Sequence, residues 1–163
     1  MKIGIFGGSF NPVHNGHVGI AKRAIEAFGL DRLIVVPAAV SPFKTDTAPS
    51  RFDRLALVKA AFADVSKTVV DDRELRRGGV SYTIDTVREI ASENPGAELV
   101  FLVGEDSLSL LPKWRSYDEL SRLCTFKSFP RTRESSTEVR RRLAAGESIA
   151  DLVPPAVAAL LLG

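Results

Sequence analysis

The apolar run Ile3-Gly4-Ile5-Phe6 leads without a break into Gly7-Gly8-Ser9-Phe10-Asn11-Pro12-Val13-His14-Asn15-Gly16-His17. This reads as a short buried strand, then a glycine-rich turn, then the start of a helix. It fixes a strand–turn–helix unit at the head of the chain. It also gathers backbone N–H groups, the positive end of a helix and two imidazoles around one small space. Such a space suits phosphate oxygens, because unpaired amides and a helix N-terminus both attract anions.

The residue types carry the chemistry. Gly7 and Gly8 allow positive φ and a close approach of the backbone to a ligand, which any Cβ would obstruct. Pro12 stiffens the turn, and Gly16 leaves room beside the imidazoles. His14 and His17, at i and i+3, fall on one side of the first helical turn. They can donate hydrogen bonds to a polyphosphate and to charge that develops in a transition state. A zinc site normally needs three or four protein ligands. With only 2 histidines and 1 cysteine in the chain, phosphate contact is the better reading and no protein metal site is expected.

Apolar runs and amphipathic stretches alternate through the rest of the chain. Strands are expected at residues 2–6, 32–37, 68–71 and 98–103, and helices at 17–28, 51–63 and 83–92. The 17–28 helix should bury Val18, Ala21, Ile25 and Phe28, with Gly29 closing it. Residues 124–129 could add a strand. Ser135 and Glu138 form a capping box for a further helix that Gly146 ends, and Pro154-Pro155 opens a last one. This rhythm predicts an α/β fold: a Rossmann-like, doubly wound parallel sheet with a helical C-terminal part, in a single domain over 1–163. Ligands on such sheets gather at the carboxyl ends of the strands, near a switch in strand order.

A net charge of +2 is too small to argue for nucleic-acid binding. The apolar stretch 153–162 is far short of the ~20 residues that cross a bilayer. Lys2 runs at once into strand and turn, so no leader is expected. A lone Cys124 excludes an intrachain disulfide. Together these point to a cytoplasmic enzyme with neither nucleic-acid nor membrane partners.

The first motif resembles the signature of the nucleotidylyltransferase superfamily, with its His-x-Gly-His element at His14–His17. Its Gly-Gly-Ser-Phe start resembles bacterial nicotinate-nucleotide adenylyltransferases in particular. Further segments resemble the same family in the right order. Lys44, a cation after the second strand, matches a phosphate-binding lysine, although Phe43 stands where the family usually has histidine. An arginine like Arg54 is present in the family near the site. Tyr82 and Thr83 resemble the segment that contacts the pyridine nucleotide; by physics alone, Thr83 would cap its helix. Gly104 and Asp106 resemble an element that contacts the adenosine or ribose part, and Asp106 could equally be an N-cap. A lone tryptophan is usually a core anchor. Trp114, however, sits in a polar, loop-like stretch and matches the residue that stacks on the nicotinate ring. Ser136, Thr137 and Arg140 match the second signature, in which a helix N-terminus and an arginine hold phosphate.

The resemblance implies transfer of AMP from ATP to nicotinate mononucleotide, giving deamido-NAD and pyrophosphate. It assigns His14, His17, Lys44 and Arg140 to the phosphates, with Mg²⁺ entering on ATP. Other adenylyltransferases, such as one acting on pantetheine phosphate, stay open, as does a nucleotide-binding relative without turnover. A homo-oligomer is compatible with the sequence. Between Trp114 and Ser135 the family usually has a longer stretch, with a further strand and a loop, and this chain is expected to be shortened there.

Overall fold

The computed structural model describes residues 1–39 and 53–163 of the chain. Its elements follow in the order β1 (Lys2–Gly8), α1 (Asn15–Ala27), β2 (Arg32–Pro37), α2 (Arg54–Phe62), β3 (Thr68–Val70), α3 (Arg73–Arg77), α4 (Thr83–Glu93) and β4 (Glu98–Gly104). A 3₁₀ helix (Glu105–Lys113), α5 (Tyr117–Leu123), β5 (Thr125–Phe129), α6 (Ser136–Ala145) and α7 (Pro155–Leu162) complete it. The five strands form one parallel sheet in the order β3-β2-β1-β4-β5.

Strand parity explains why the central strands are apolar throughout. Ile3 and Ile5 of β1, Ile34 and Val36 of β2, and Leu99, Phe101 and Val103 of β4 enter one core with Ile84, Val87 and Ile90 of α4. The intervening residues Phe6, Leu33, Val35, Val100 and Leu102 enter a second core on the opposite face, with Ile20 of α1, Val58 of α2 and Val157 of α7. Both faces are covered, so a polar residue has no solvent face to occupy. Gly4 is required by space: a Cβ there would collide with Leu30 and Leu33.

The expected strands are present, and the sheet is one strand wider than β4. β5 pairs with β4 in parallel, from Val100 opposite Thr125 to Gly104 opposite Phe129, and supplies the strand offered at residues 124–129. Helix α1 buries Ile20, Ala21 and Ala24, while Val18, Ile25 and Phe28 lie partly buried along its flank. Gly29 follows it at φ 62°. The helix expected over 51–63 is α2, capped by the Asp53 carboxylate, which accepts from the N–H of Ala56. α3, the 3₁₀ helix and α5, of five, nine and seven residues, are too short to leave a clear periodicity in the sequence. No helix among the described residues is long and apolar enough to cross a membrane.

Candidate active site

β1 lies between β2 and β4, so the chain leaves to one side for β2 and returns on the other for β4. The carboxyl ends of β1 and β4 therefore frame the switch in strand order. The first motif opens there, and its two histidines build the start of α1 themselves. His14 is the N-cap: its Nδ1 accepts the N–H of Gly16 at 3.1 Å. His17 returns the bond, its Nδ1 accepting the N–H of His14 at 3.0 Å. This is a capping box made of two imidazoles. Both Nδ1 atoms are acceptors, so in each neutral ring the proton sits on Nε2.

The rings stack with centroids 3.7 Å apart, an arrangement that two cations would oppose. Burial lowers His14 to a pKa of about 4, and nearby Glu134 only partly offsets the shift. His14 is thus a neutral donor at neutral pH. The sign of the linkage is set: the unfolded chain gains a proton below about pH 6.5, which folded His14 refuses until about pH 4. Stability from this group is full above pH 6.5 and falls as the pH drops through that window. Replacing His14 with asparagine keeps an N-cap acceptor and should flatten the fall in melting temperature between pH 6.5 and 4. An unchanged slope would assign the acid sensitivity elsewhere.

Gly16 is the residue that lets His14 take this pose, since a Cβ there would strike the Thr132 hydroxyl and the His14 ring. The loop before it is tied down by backbone acceptors. Arg54 donates through Nη1 to the carbonyls of Ser9 and Ala38, each at 2.7 Å, and so joins the ends of β1 and β2. The Ser136 hydroxyl donates to the Pro12 carbonyl at 2.8 Å, and Arg140 donates to that of Asn11 at 2.5 Å. The two signatures therefore touch, with the second bracing the first. Arg140 also reaches the Thr137 hydroxyl at 3.3 Å.

Two cavities flank the switch and share Gly7, Gly8, Gly104 and Phe129. One, of about 320 Å³, is lined by His14, His17, Asp106, Arg131 and Ser136. The other, of about 180 Å³, is lined by Ser9, Glu74, Ser81, Thr83, Thr86 and Trp114. Trp114 meets Phe101 and Phe126 edge-on, at 5.8 and 6.1 Å. It is anchored in an apolar cluster rather than held in a polar loop, and it still lines the cavity.

Several expectations need correction. Gly7 and Gly8 stay in the strand, in register with Val36 and Pro37, and neither has positive φ. Phe10 bends the chain instead, at φ 46°, because its ring is locked between Phe6 and His17 at centroid distances of 5.4 and 4.8 Å. Thr83 does not cap α4. Tyr82 holds the N-cap position and no side chain caps that end. The Tyr82 ring lies under Arg115, whose guanidinium carbon is 3.7 Å from its centroid, and it lines neither cavity. Asp106 is no N-cap either; Gly104 is, and the Asp106 carboxylate accepts from Arg131 at 2.6 Å. Only half of the second capping box forms. The Ser135 hydroxyl accepts the N–H of Glu138 at 3.1 Å, while the Glu138 carboxylate is drawn to Arg141 and Arg142. Lys44 lies outside the described residues.

The model of the cytidylyltransferase-like family matches residues 5–147, a span that includes both signatures. The chain belongs to this family. Among its relatives, one from Synechococcus sp. (strain JA-3-3Ab) is 38% identical, over 96% of this chain and 89% of that protein. One from Shouchella clausii is 41% identical, over 98% and 93%. Each bears the name "probable nicotinate-nucleotide adenylyltransferase". The Synechococcus alignment spans 185 residues against a chain of 163, so that relative has residues this family member lacks. The crystal structure of a "putative nicotinate-nucleotide adenylyltransferase" from Vibrio parahaemolyticus superposes with a TM-score of 0.81 and 28% identity, covering 100% of both chains. That of the Plasmodium falciparum nicotinic acid mononucleotide adenylyltransferase, complexed with NaAD, shares the fold at 0.78 and 17% identity, over 99% of this chain and 94% of that one.

Proposed function

We propose that this chain transfers AMP from ATP to nicotinate mononucleotide, releasing pyrophosphate and forming deamido-NAD. The observation that carries the reading is the pair of cavities meeting at Gly7, Gly8 and Gly104, one walled by histidines and one by Trp114 and Thr83. The names of the relatives support the same reaction.

The nucleophile is a phosphate oxygen of the acceptor. It attacks the α-phosphorus of ATP, the bond from that phosphorus to the bridging oxygen breaks, and pyrophosphate leaves with the electron pair. No protein nucleophile is needed, so catalysis rests on placement and on charge stabilisation. In this reading the MgATP phosphates lie along the amide end of α1. His14 and His17 donate from Nε2 to the phosphates, and His17, the less buried of the two, meets the charge developing on the leaving oxygen. Ser136, Thr137 and Arg140 hold the loop and add positive potential, and Lys44 serves the phosphates from the substrate side. Mg²⁺ is carried by phosphate oxygens and water. The uncapped end of α4 offers its amides to the nicotinate carboxylate, with Trp114 beneath the ring. The buried, unpaired Cys124 suits a reducing cytoplasm.

Stacking of an aromatic side chain on a base is worth about 1–3 kcal/mol. Trp114→Ala should therefore raise the KM for nicotinate mononucleotide by roughly 10-fold or more, from that same range, and leave the KM for ATP unmoved. Steady-state kinetics with each substrate varied in turn measures both. An unchanged KM for the pyridine nucleotide would remove Trp114 from its site.

A further inference from the structure

The cavity holding Trp114 has one ionisable side chain in its wall among the described residues, Glu74. It sits in α3, which is strapped alongside α4 by ion pairs on its outer side. Arg73 contacts Glu93 at 2.8 Å and Arg77 contacts Glu89 at 2.7 Å. Between these straps Glu74 turns inward and is only 7% exposed.

Its carboxylate accepts the hydroxyl of Thr86 and lies beside that of Ser81, both residues being buried. The Ser81 oxygen in turn accepts the N–H of Ala39 at 3.0 Å. This carboxylate thus sits where Ala39, the second residue past β2, the approach to α4 and the first turn of α4 come together. Those segments bring Ser81, Thr83 and Ala38 to the cavity wall. Burial pushes the Glu74 carboxyl above its usual range, against the pull of the two hydroxyls and Arg77. An acid kept out of water beside neutral donors is costly. The outer straps already hold α3 on α4, so what the carboxylate adds is the placement of Ser81 and Thr86.

We propose that Glu74 is a positioning residue for the acceptor nucleotide, fixing the angle at which the uncapped end of α4 faces the cavity. The inference rests on the reading of this cavity as the nicotinate mononucleotide site.

The test is a split between two Michaelis constants. Glu74→Leu should raise the KM for nicotinate mononucleotide by about 10-fold or more, as small misplacements do, and keep that for ATP within about two-fold. Glu74→Gln, which keeps one acceptor oxygen, should fall between this variant and the parent. Thr86→Val removes one donor without changing shape and should shift the same constant in the same direction; it decides the matter if Glu74→Leu does not fold. An unchanged pyridine-nucleotide KM, an equal rise in both constants, or no recovery with glutamine would overturn the proposal. Absence of turnover on nicotinate mononucleotide by the parent protein would overturn the reading beneath it as well. Turnover by the parent with no split in the variants would overturn the positioning role alone.

Discussion

His17→Ala should lower kcat by about 10²–10³-fold, the usual loss when one donor to a developing oxyanion is removed. The same change deletes the Nδ1 acceptor for the N–H of His14, so a cost of ~1 kcal/mol in stability should accompany it. The two effects are separable because glutamine is a normal residue at this position of a capping box. His17→Gln should restore most of the melting temperature and little of the turnover. The KM for ATP should change far less than kcat in both variants, since the amide end of α1 remains. Near-normal kcat in His17→Ala would remove the imidazole from the chemistry and leave it a cap.

Gly16→Ala should be nearly as damaging, for a different reason. Its Cβ would enter the space of the Thr132 hydroxyl and the His14 ring, and His14 is pinned from the other side by the stacked His17 ring. Overpacking of this kind costs ~1–3 kcal/mol, and a displacement of about 1 Å at a phosphate donor can cost 10²-fold in rate. The prediction is a loss of roughly 10²-fold in kcat with a lower melting temperature. Trimming the partner as well, in Gly16→Ala with Thr132→Ala, should recover part of both. Full activity in the single variant would show that the loop yields and that the histidine pose is not fixed by packing.

Much of this site was readable from the chain alone, and the parts that were not have definite causes. The His-x-Gly-His spacing brings both imidazoles to one turn whatever the surroundings, and Gly16 is needed because that turn is crowded. Residue type permits the positive φ at Gly7 and Gly8. It falls on Phe10 because the strand pairing with β2 runs through Gly8. Ser136 and Arg140 also tie down the first loop, through hydrogen bonds to the Pro12 and Asn11 carbonyls, and only tertiary contact could reveal this. Asp106, which the family resemblance aligns with a ribose contact, lines the histidine cavity. It meets Arg131, which stands on the short connection that runs from β5 to α6. Glu74 left no mark in the sequence: α3 is five residues long, and an acid among arginines reads as a solvated surface. The strands were legible because a parallel sheet covered on both faces needs uninterrupted apolar runs.

The most direct measurement is pyrophosphate release from MgATP with nicotinate mononucleotide, nicotinamide mononucleotide and pantetheine phosphate offered side by side. The account predicts strong preference for nicotinate mononucleotide, with deamido-NAD as the second product. Release with pantetheine phosphate alone, or with none of the three from protein shown to be folded, would contradict it.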